Sequence, residues 1–264
     1  MPVTSAFFVE LAYAAARETL PRFRDHGAIA DKGVVDGLKA YDPVTEADRA
    51  AELAIRALIE ERFPEHGILG EEHGAMGIDR HYVWVIDPID GTRAFITGIP
   101  VWGTLVGLME DGKAIAGMMA QPFTGELFYA VGGKSYRRSR DGEVENKVSY
   151  VTDLAKATLF TTTPHLFRGL VRERYDAVEK SVKLFRYGCD CYAYCMLAAG
   201  FVDLVIETAL QPYDIVALVP IIEAAGGIVT NWDGSRPEAG GNIIAAATPE
   251  LHRAGMAMMA GKAL

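Results

Sequence analysis

Trp84-Val85-Ile86-Asp87-Pro88-Ile89-Asp90-Gly91-Thr92-Arg93 runs an apolar segment straight into two aspartates, a glycine and a hydroxyl. Val83, Val85 and Ile86 predict a buried strand, which Pro88 is expected to end, while Gly91 permits a close turn into a short segment from Thr92. Asp87 and Asp90 then converge at one strand end. Oxygen donors of this kind suit Mg²⁺, Mn²⁺ or Ca²⁺ rather than zinc, and amides at a turn or helix start favour an anion. A capped turn with no chemistry in it is written with the same letters, so the rest of the chain decides.

Before this run, Phe8, Leu11, Ala15 and Phe23 fall near helical spacing within residues 5–24. Residues 45–63 read as a second helix with Leu53, Ala54, Ala57 and Leu58 on one side, and both helices should pack on a sheet. From Trp84 the period changes. Strands are predicted at 82–87, 103–110, 113–120 and 126–131, joined by short turns such as Asp111-Gly112, in an antiparallel meander. Beyond a polar stretch at 132–150, strands at 159–162, 184–187 and 202–207 alternate with helices near 166–179, 190–200 and 214–225. The expected organisation is an α+β half over residues 1–148 and an α/β half over 149–264, with the active site in the crevice between them. Pro220 falls inside the last of these helices and should kink it.

Half of the 264 residues are hydrophobic and 23% are charged, which suits a globular enzyme and is too apolar for a disordered chain. A net charge of -9 without a Lys/Arg stripe argues against nucleic acid as a partner, although bound cations allow an acidic protein to hold a phosphate. No apolar stretch is long enough to span a bilayer, so no membrane partner is expected. Glu10 and Arg17 interrupt the apolar first twenty residues, which is unlike a signal peptide. Cys189, Cys191 and Cys195 are too few and too clustered for a disulfide framework, and read as helix thiols in a reducing cytoplasm.

Further carboxylates stand where chemistry could use them. Gly70-Glu71-Glu72 follows Ile68-Leu69, so a glutamate could project from a strand end into the same site or lie in a solvated turn. Asp42-Pro43-Val44-Thr45-Glu46-Ala47-Asp48 leads into the second helix, where Thr45 and Asp48 resemble a capping box. Asp214 opens the helix from Ile215, where a carboxylate complements the positive end of the dipole.

Taken in order, Asp42-Pro43-Val44-Thr45, Gly70-Glu71-Glu72, Asp87-Pro88-Ile89-Asp90-Gly91-Thr92, Tyr213-Asp214 and Glu223-Ala224-Ala225-Gly226-Gly227 resemble the inositol-monophosphatase family of metal-dependent phosphate monoesterases. The resemblance runs along nearly the whole chain. It implies a mixed α+β and α/β fold, the layered αβαβα sandwich of the sugar phosphatases, and a homodimer. It implies two or three Mg²⁺ ions, with Mn²⁺ as a substitute, held by Glu71, Asp87, Asp90, Asp214 and the main-chain carbonyl of Ile89. Asp48 is then expected to orient the Thr92 hydroxyl toward the attacking water, and the amides of Gly91 and Thr92 to hold phosphate oxygens. Glu71, Asp48 and Thr92 thereby become the catalytic set. Electrostatics agrees with the ligand set, since four carboxylates in one crevice could not all stay ionised without cations. The reaction implied is in-line hydrolysis of a small phosphate ester by a metal-activated water, with no phosphoenzyme.

Arg93-Ala94-Phe95-Ile96-Thr97-Gly98, Gly188-Cys189-Asp190-Cys191-Tyr192 and Pro212-Tyr213-Asp214 look most like the histidinol-phosphate phosphatase branch. That substrate carries an ammonium and an imidazole, for which Asp190 and Glu207 are the expected anionic partners. The plainer alternatives are a helix cap for Asp190 and a solvated charge at a strand end for Glu207. Arg93 is expected near the phosphate or at a neighbouring subunit. Two other classes of function fit the sequence less well. A non-catalytic binding scaffold would have no need to keep every ligand position filled, and a structural calcium site would gather its ligands in one loop.

Overall fold

The computed structural model describes residues 3–25, 29–31 and 43–261, so Asp42 of the first motif lies outside the described residues. In chain order the first half contains α1 (Ser5–Thr19), β1 (Ile29–Asp31), β2 (Pro43–Thr45), α2 (Glu46–Arg62), β3 (Gly67–Gly70), β4 (Gly74–Met76) and β5 (Tyr82–Asp90). It continues with α3 (Thr92–Ile96), β6 (Gly103–Glu110), β7 (Lys113–Gln121), β8 (Glu126–Val131), β9 (Lys134–Ser139) and β10 (Gly142–Glu145). The second half contains β11 (Thr158–Thr161), α4 (Leu170–Ser181), β12 (Leu184–Tyr187), α5 (Asp190–Ala198) and β13 (Leu204–Leu210). It closes with α6 (Pro212–Ile215), α7 (Leu218–Ala224), β14 (Ile228–Asn231), β15 (Gly241–Ala246) and α8 (Pro249–Met259).

These elements stack as α, β, α, β, α. An eight-stranded sheet runs in the order β10-β9-β8-β7-β6-β5-β3-β4, antiparallel throughout except where β3 pairs parallel with β5. Trp84, Ile86, Val106, Leu108 and Met118 on one of its faces pack against Phe7, Phe8 and Leu11 of α1 and Ile55 and Ile59 of α2. The opposite face presents Val85, Leu105, Met119 and Phe128 to α5, α6 and α7. Those helices also cover Val205, Val229 and Ile243 of a five-stranded sheet ordered β12-β11-β13-β15-β14. Leu204, Ile206 and Ile244 on its far face are covered by Tyr175 and Val178 of α4 and by Leu251 and Met259 of α8. Because helices lie on both sides, β5 is buried along nearly its whole length, unlike the one-sided alternation of a solvent-facing strand. Trp84 anchors the layer beneath α1, with Phe7 edge-on at 5.8 Å and its indole N–H donated to His66 Nδ1 at 3.0 Å. Burying such a side chain contributes about 1.5–3 kcal/mol, and here no polar atom of the indole is left unpaired.

Several expectations need correction. Pro88 does not end β5. The strand continues to Asp90 through a bulge between Asp87 and Asp90, where the register slips from Asp87 opposite Leu105 to Asp90 opposite Gly103. The apolar side assigned to the second helix is also displaced. Leu53 is 53% exposed, whereas Ala51, Ile55 and Ile59 are buried together with Asp48, Glu52 and Arg56. The polar stretch after residue 131 holds two more meander strands, β9 and β10, whose residues are mostly exposed and so carry little apolar signal. Asp111 and Gly112 both have positive φ, 48° and 80°, and close the β6–β7 hairpin as expected.

The predicted helix at 214–225 is two helices, α6 and α7, interrupted at Val216 and Ala217. Pro220 has no N–H to donate to the carbonyl four residues earlier, which belongs to Val216. This interruption seats on the large sheet. Gly107 and Gly117 are register partners on β6 and β7, and a Cβ on Gly117 would lie 2.1 Å from the Ala217 carbonyl oxygen. Two facing glycines thus let the helical backbone sit directly on the strands.

Candidate active site

The bulge in β5 decides the geometry. In a regular strand Asp87 and Asp90, an odd number of residues apart, would face opposite sides of the sheet. One extra residue on β5 reverses that alternation, so both side chains reach the same side. The interruption after α6 brings Asp214 up to them. A carboxylate oxygen from each of Asp87, Asp90 and Asp214 lies within 4.8 Å of the other two. Glu71 stands at the edge of this group, sharing a hydrogen bond with Asp87, and its charge acts on all three.

Each of the three aspartates has one oxygen tied to a backbone amide. Ile89 N–H donates to Asp87 Oδ1 at 3.0 Å, Cys191 N–H to Asp90 Oδ2 at 2.6 Å, and Gln211 N–H to Asp214 Oδ2 at 2.7 Å. Such bonds fix carboxylate orientation while leaving lone pairs for a cation. Burial raises the pKa of all three, and the charges of the neighbouring carboxylates add to it. Asp90 is pushed up to about 7, while Asp87 and Asp214 are raised well above the ordinary carboxylate value. An oxygen-only group that resists ionisation in its own company is the donor set expected of a hard divalent cation, and Mg²⁺ fits it. The cysteine beside it, Cys191, holds Asp90 through its amide and its thiol, and that buried thiol is raised well above the usual range by burial and by the Asp90 charge.

Gly91 follows with φ 82° and precedes α3. A Cβ on it would meet Asp190 Oδ2 at 3.0 Å, so both the turn and the approach of Asp190 call for glycine. Asp190 itself opens α5 with φ 42°, a left-handed conformation that Asp tolerates better than most residues. Its pKa is raised by burial and drawn back down by a hydrogen bond to the Thr162 side chain and by the charge of Arg93. Arg93 is exposed and stands within reach of that carboxylate.

For Glu207 the structure removes the plainer alternative, and for Asp48 and Thr92 it shows other hydrogen-bond partners than expected. Glu207 is not a solvated charge at a strand end, because it is 2% exposed and accepts from Thr161 Oγ1 at 3.2 Å and Thr162 N–H at 2.5 Å. Burial lifts its pKa to about 8. The Asp48–Thr92 link is also absent from the hydrogen bonds of the described residues. The Thr92 hydroxyl donates to the Ile89 carbonyl at 3.0 Å, and Asp48 Oδ2 accepts the Thr45 amide and hydroxyl at 2.8 and 2.6 Å. A hydroxyl has one proton, and here Ile89 takes it. The capping box at Thr45 and Asp48 is therefore formed, and Asp48 is raised to about 6 by burial, with Glu72 and Glu71 adding to the shift.

Sequence reasoning missed Glu52 and Arg56. Glu52 is fully buried and accepts from Arg56 Nε at 2.7 Å and from the amides of Glu72 and His73 at 2.7 and 3.2 Å, directly behind Glu71. The signal was present. Asp48, Glu52 and Arg56 are four residues apart and share one helical stripe, which an apolar-only reading of the helix discards.

Comparisons with known proteins agree on what surrounds this site. The model of the Inositol monophosphatase family matches residues 3–261. The bifunctional phosphatase IMPL2, chloroplastic, of Arabidopsis thaliana is 43% identical, over 92% of this chain and 71% of its own. The histidinol-phosphatase of Mycobacterium tuberculosis is 34% identical, over 89% and 90%. Among solved structures, an inositol monophosphatase from Zymomonas mobilis superposes with a TM-score of 0.83 at 37% identity, covering 97% of this chain and 96% of that one.

Proposed function

The chain belongs to the inositol monophosphatase family, and from that premise we propose that it is a Mg²⁺-dependent histidinol-phosphate phosphatase. The observation that carries the substrate reading is Asp190, a half-buried carboxylate 3.0 Å from where a Cβ on Gly91 would stand and close enough for its charge to act on Asp90, with the buried Glu207 bonded to Thr162 behind it. A cationic leaving group would find its partner there. The likeness to the histidinol-phosphatase of Mycobacterium tuberculosis supports the same choice.

In this reading Glu71, Asp87, Asp90 and Asp214 hold the cation together with the Ile89 carbonyl. When bound, Mg²⁺ lowers the pKa of water and offsets charge that develops on the ester oxygens. The protein's own groups do the rest. The amides of Gly91 and Thr92 hold phosphate oxygens, Thr92 and Asp48 line the approach of water, and Asp190 receives the substrate ammonium. Glu207 supports Asp190 through Thr162, and Arg93 offsets the Asp190 charge at the mouth. The proposal places the active site in the crevice between an α+β half, residues 1–148, and an α/β half, residues 149–264. It extends to a homodimer, supported by the exposed Leu184, Phe185 and Tyr187 on the edge strand β12 and checked by the mass in solution. A reducing, cytoplasmic setting is supported by the three free cysteines.

The test is a panel of phosphate esters assayed with Mg²⁺. Histidinol phosphate should exceed inositol 1-phosphate by roughly 10²-fold or more, because a neutral polyol leaves buried carboxylates unpaired. Release of phosphate should stop with a chelator. Equal rates, or preference for the inositol ester, would move the reading to an inositol-1-phosphate phosphatase, which the likeness to the Zymomonas mobilis structure favours as the second choice.

A further inference from the structure

We infer that Glu52, held by Arg56, is a positioning residue that sets the place of Glu71 and thereby the affinity of the site for its divalent cation. The inference rests on the reading of Glu71 as one of the ligands. Glu71 begins the turn between β3 and β4, and its amide donates to the Ile86 carbonyl at 3.1 Å, which ties the start of the turn to β5. The next two amides point the other way. Glu72 N–H donates to Glu52 Oε2 at 2.7 Å and His73 N–H to Glu52 Oε1 at 3.2 Å, so one buried carboxylate holds both donors of the turn.

Arg56, one helical turn further along α2, closes the arrangement. Its Nε donates to Glu52 Oε1 at 2.7 Å and its Nη2 to the Gly74 carbonyl at the far end of the turn. His73 Nε2 lies 3.2 Å from the Arg49 carbonyl of the same helix. Gly70 makes the approach sterically available. A Cβ there would stand 1.9 Å from Glu52 Oε1 and 2.7 Å from Arg56 Nη2. If α2 needed only to be fastened to the sheet, apolar side chains such as Ile55 and Ile59 would do it without the desolvation cost of a buried ion pair. What the pair adds is a fixed turn. Carboxylates that bind metal gain affinity when the groups behind them are held in the binding geometry.

The test is Mn²⁺ titration followed by electron paramagnetic resonance on the wild-type protein, Glu52→Gln, Gly70→Ala and, as a ligand control, Asp90→Asn. Glutamine keeps the size of Glu52 but supplies one acceptor oxygen for three donors. Alanine at 70 displaces an unaltered Glu52. Both variants should bind Mn²⁺ about 10- to 100-fold more weakly than wild type while their KM for phosphate ester at saturating metal changes far less. A folded Glu52→Gln protein with wild-type Mn²⁺ affinity would overturn the inference and leave the functional reading standing. A wild-type protein that binds no Mn²⁺ would overturn both. Should the variants not fold, amide exchange in the unaltered protein decides. Slow exchange at Glu72 and His73 that slows further with Mg²⁺ supports the role, and fast exchange indifferent to Mg²⁺ refutes it.

Discussion

Asp90 has one oxygen committed and one to spare. Its Oδ2 takes the Cys191 amide at 2.6 Å, a bond that joins β5 of the large sheet to the start of α5. Asparagine could keep that bond through its carbonyl oxygen but would bring an amide and no charge to the cation. We expect Asp90→Asn to fold, with a far-ultraviolet dichroism spectrum like wild type, and to lose more than about a hundredfold in turnover, since disturbing even the groups behind a ligand costs about 10–100-fold. Without metal it should melt no lower than wild type, because Asp90 is held up to about 7 by burial and the Asp190 charge. Wild-type turnover by the folded variant would remove Asp90 from the ligand set. The two aspartates and the glycine after them were legible as letters. Their convergence at a strand end was legible too, but the bulge that brings it about was not, because only pairing with β6 reveals it.

At the scale of elements, the helix that delivers Asp214 is set by its contact with the sheet. α6 and α7 are separated where Pro220 withholds an N–H from Val216, and the gap rests on Gly107 and Gly117. Gly117→Ala would drive a methyl group into the Ala217 carbonyl, a backbone atom that cannot swing aside. We expect a loss of about 3 kcal/mol, at the upper end of overpacking costs, measured by urea unfolding. Activity should fall further than the folded fraction alone explains, because α6 moves with its aspartate. A variant as stable and active as wild type would show that the helix is not seated by this pair. The kink at Pro220 was readable from sequence, but its seat was not, since the glycines lie about a hundred residues earlier. Strands β5 to β8 were visible as short apolar runs bounded by turns. Strands β9 and β10 were missed because their side chains face solvent, and the α2 face was displaced because its buried side includes Asp48, Glu52 and Arg56.

At the scale of the whole molecule, buried carboxylates give the metal-free protein a distinctive response to pH. Asp48, Asp90 and Glu207 are raised to about 6, about 7 and about 8, all chiefly by burial. A raised carboxylate pKa means that the folded state binds protons more tightly than the unfolded chain, so stability falls as pH rises from the unfolded value through the folded one. Between about pH 4 and about pH 8 the chelated protein should therefore lose thermal stability. Mg²⁺ favours the ionised forms of Asp87, Asp90 and Asp214, and bound only by the folded state it should restore more stability at the upper end of that window than at the lower. Melting curves with chelator and with saturating Mg²⁺ across that range test this. A chelated protein whose melting temperature rises with pH would contradict it.

The sequence by itself determined the order of most elements, because apolar periodicity and turn chemistry are local properties that neighbouring residues state together, and its resemblance to a known family added the layered fold and the set of acidic groups. It also led to the expectation of a hard cation, since residues that offer only oxygen suit little else. Tertiary structure alone decided how those groups are oriented: which face Asp90 takes, that Thr92 gives its proton to Ile89, that Glu207 is enclosed, and that Glu52 stands behind Glu71. Each of these depends on contacts between residues far apart in the chain. Register, burial and the choice among competing hydrogen-bond partners exist only after the layers have packed.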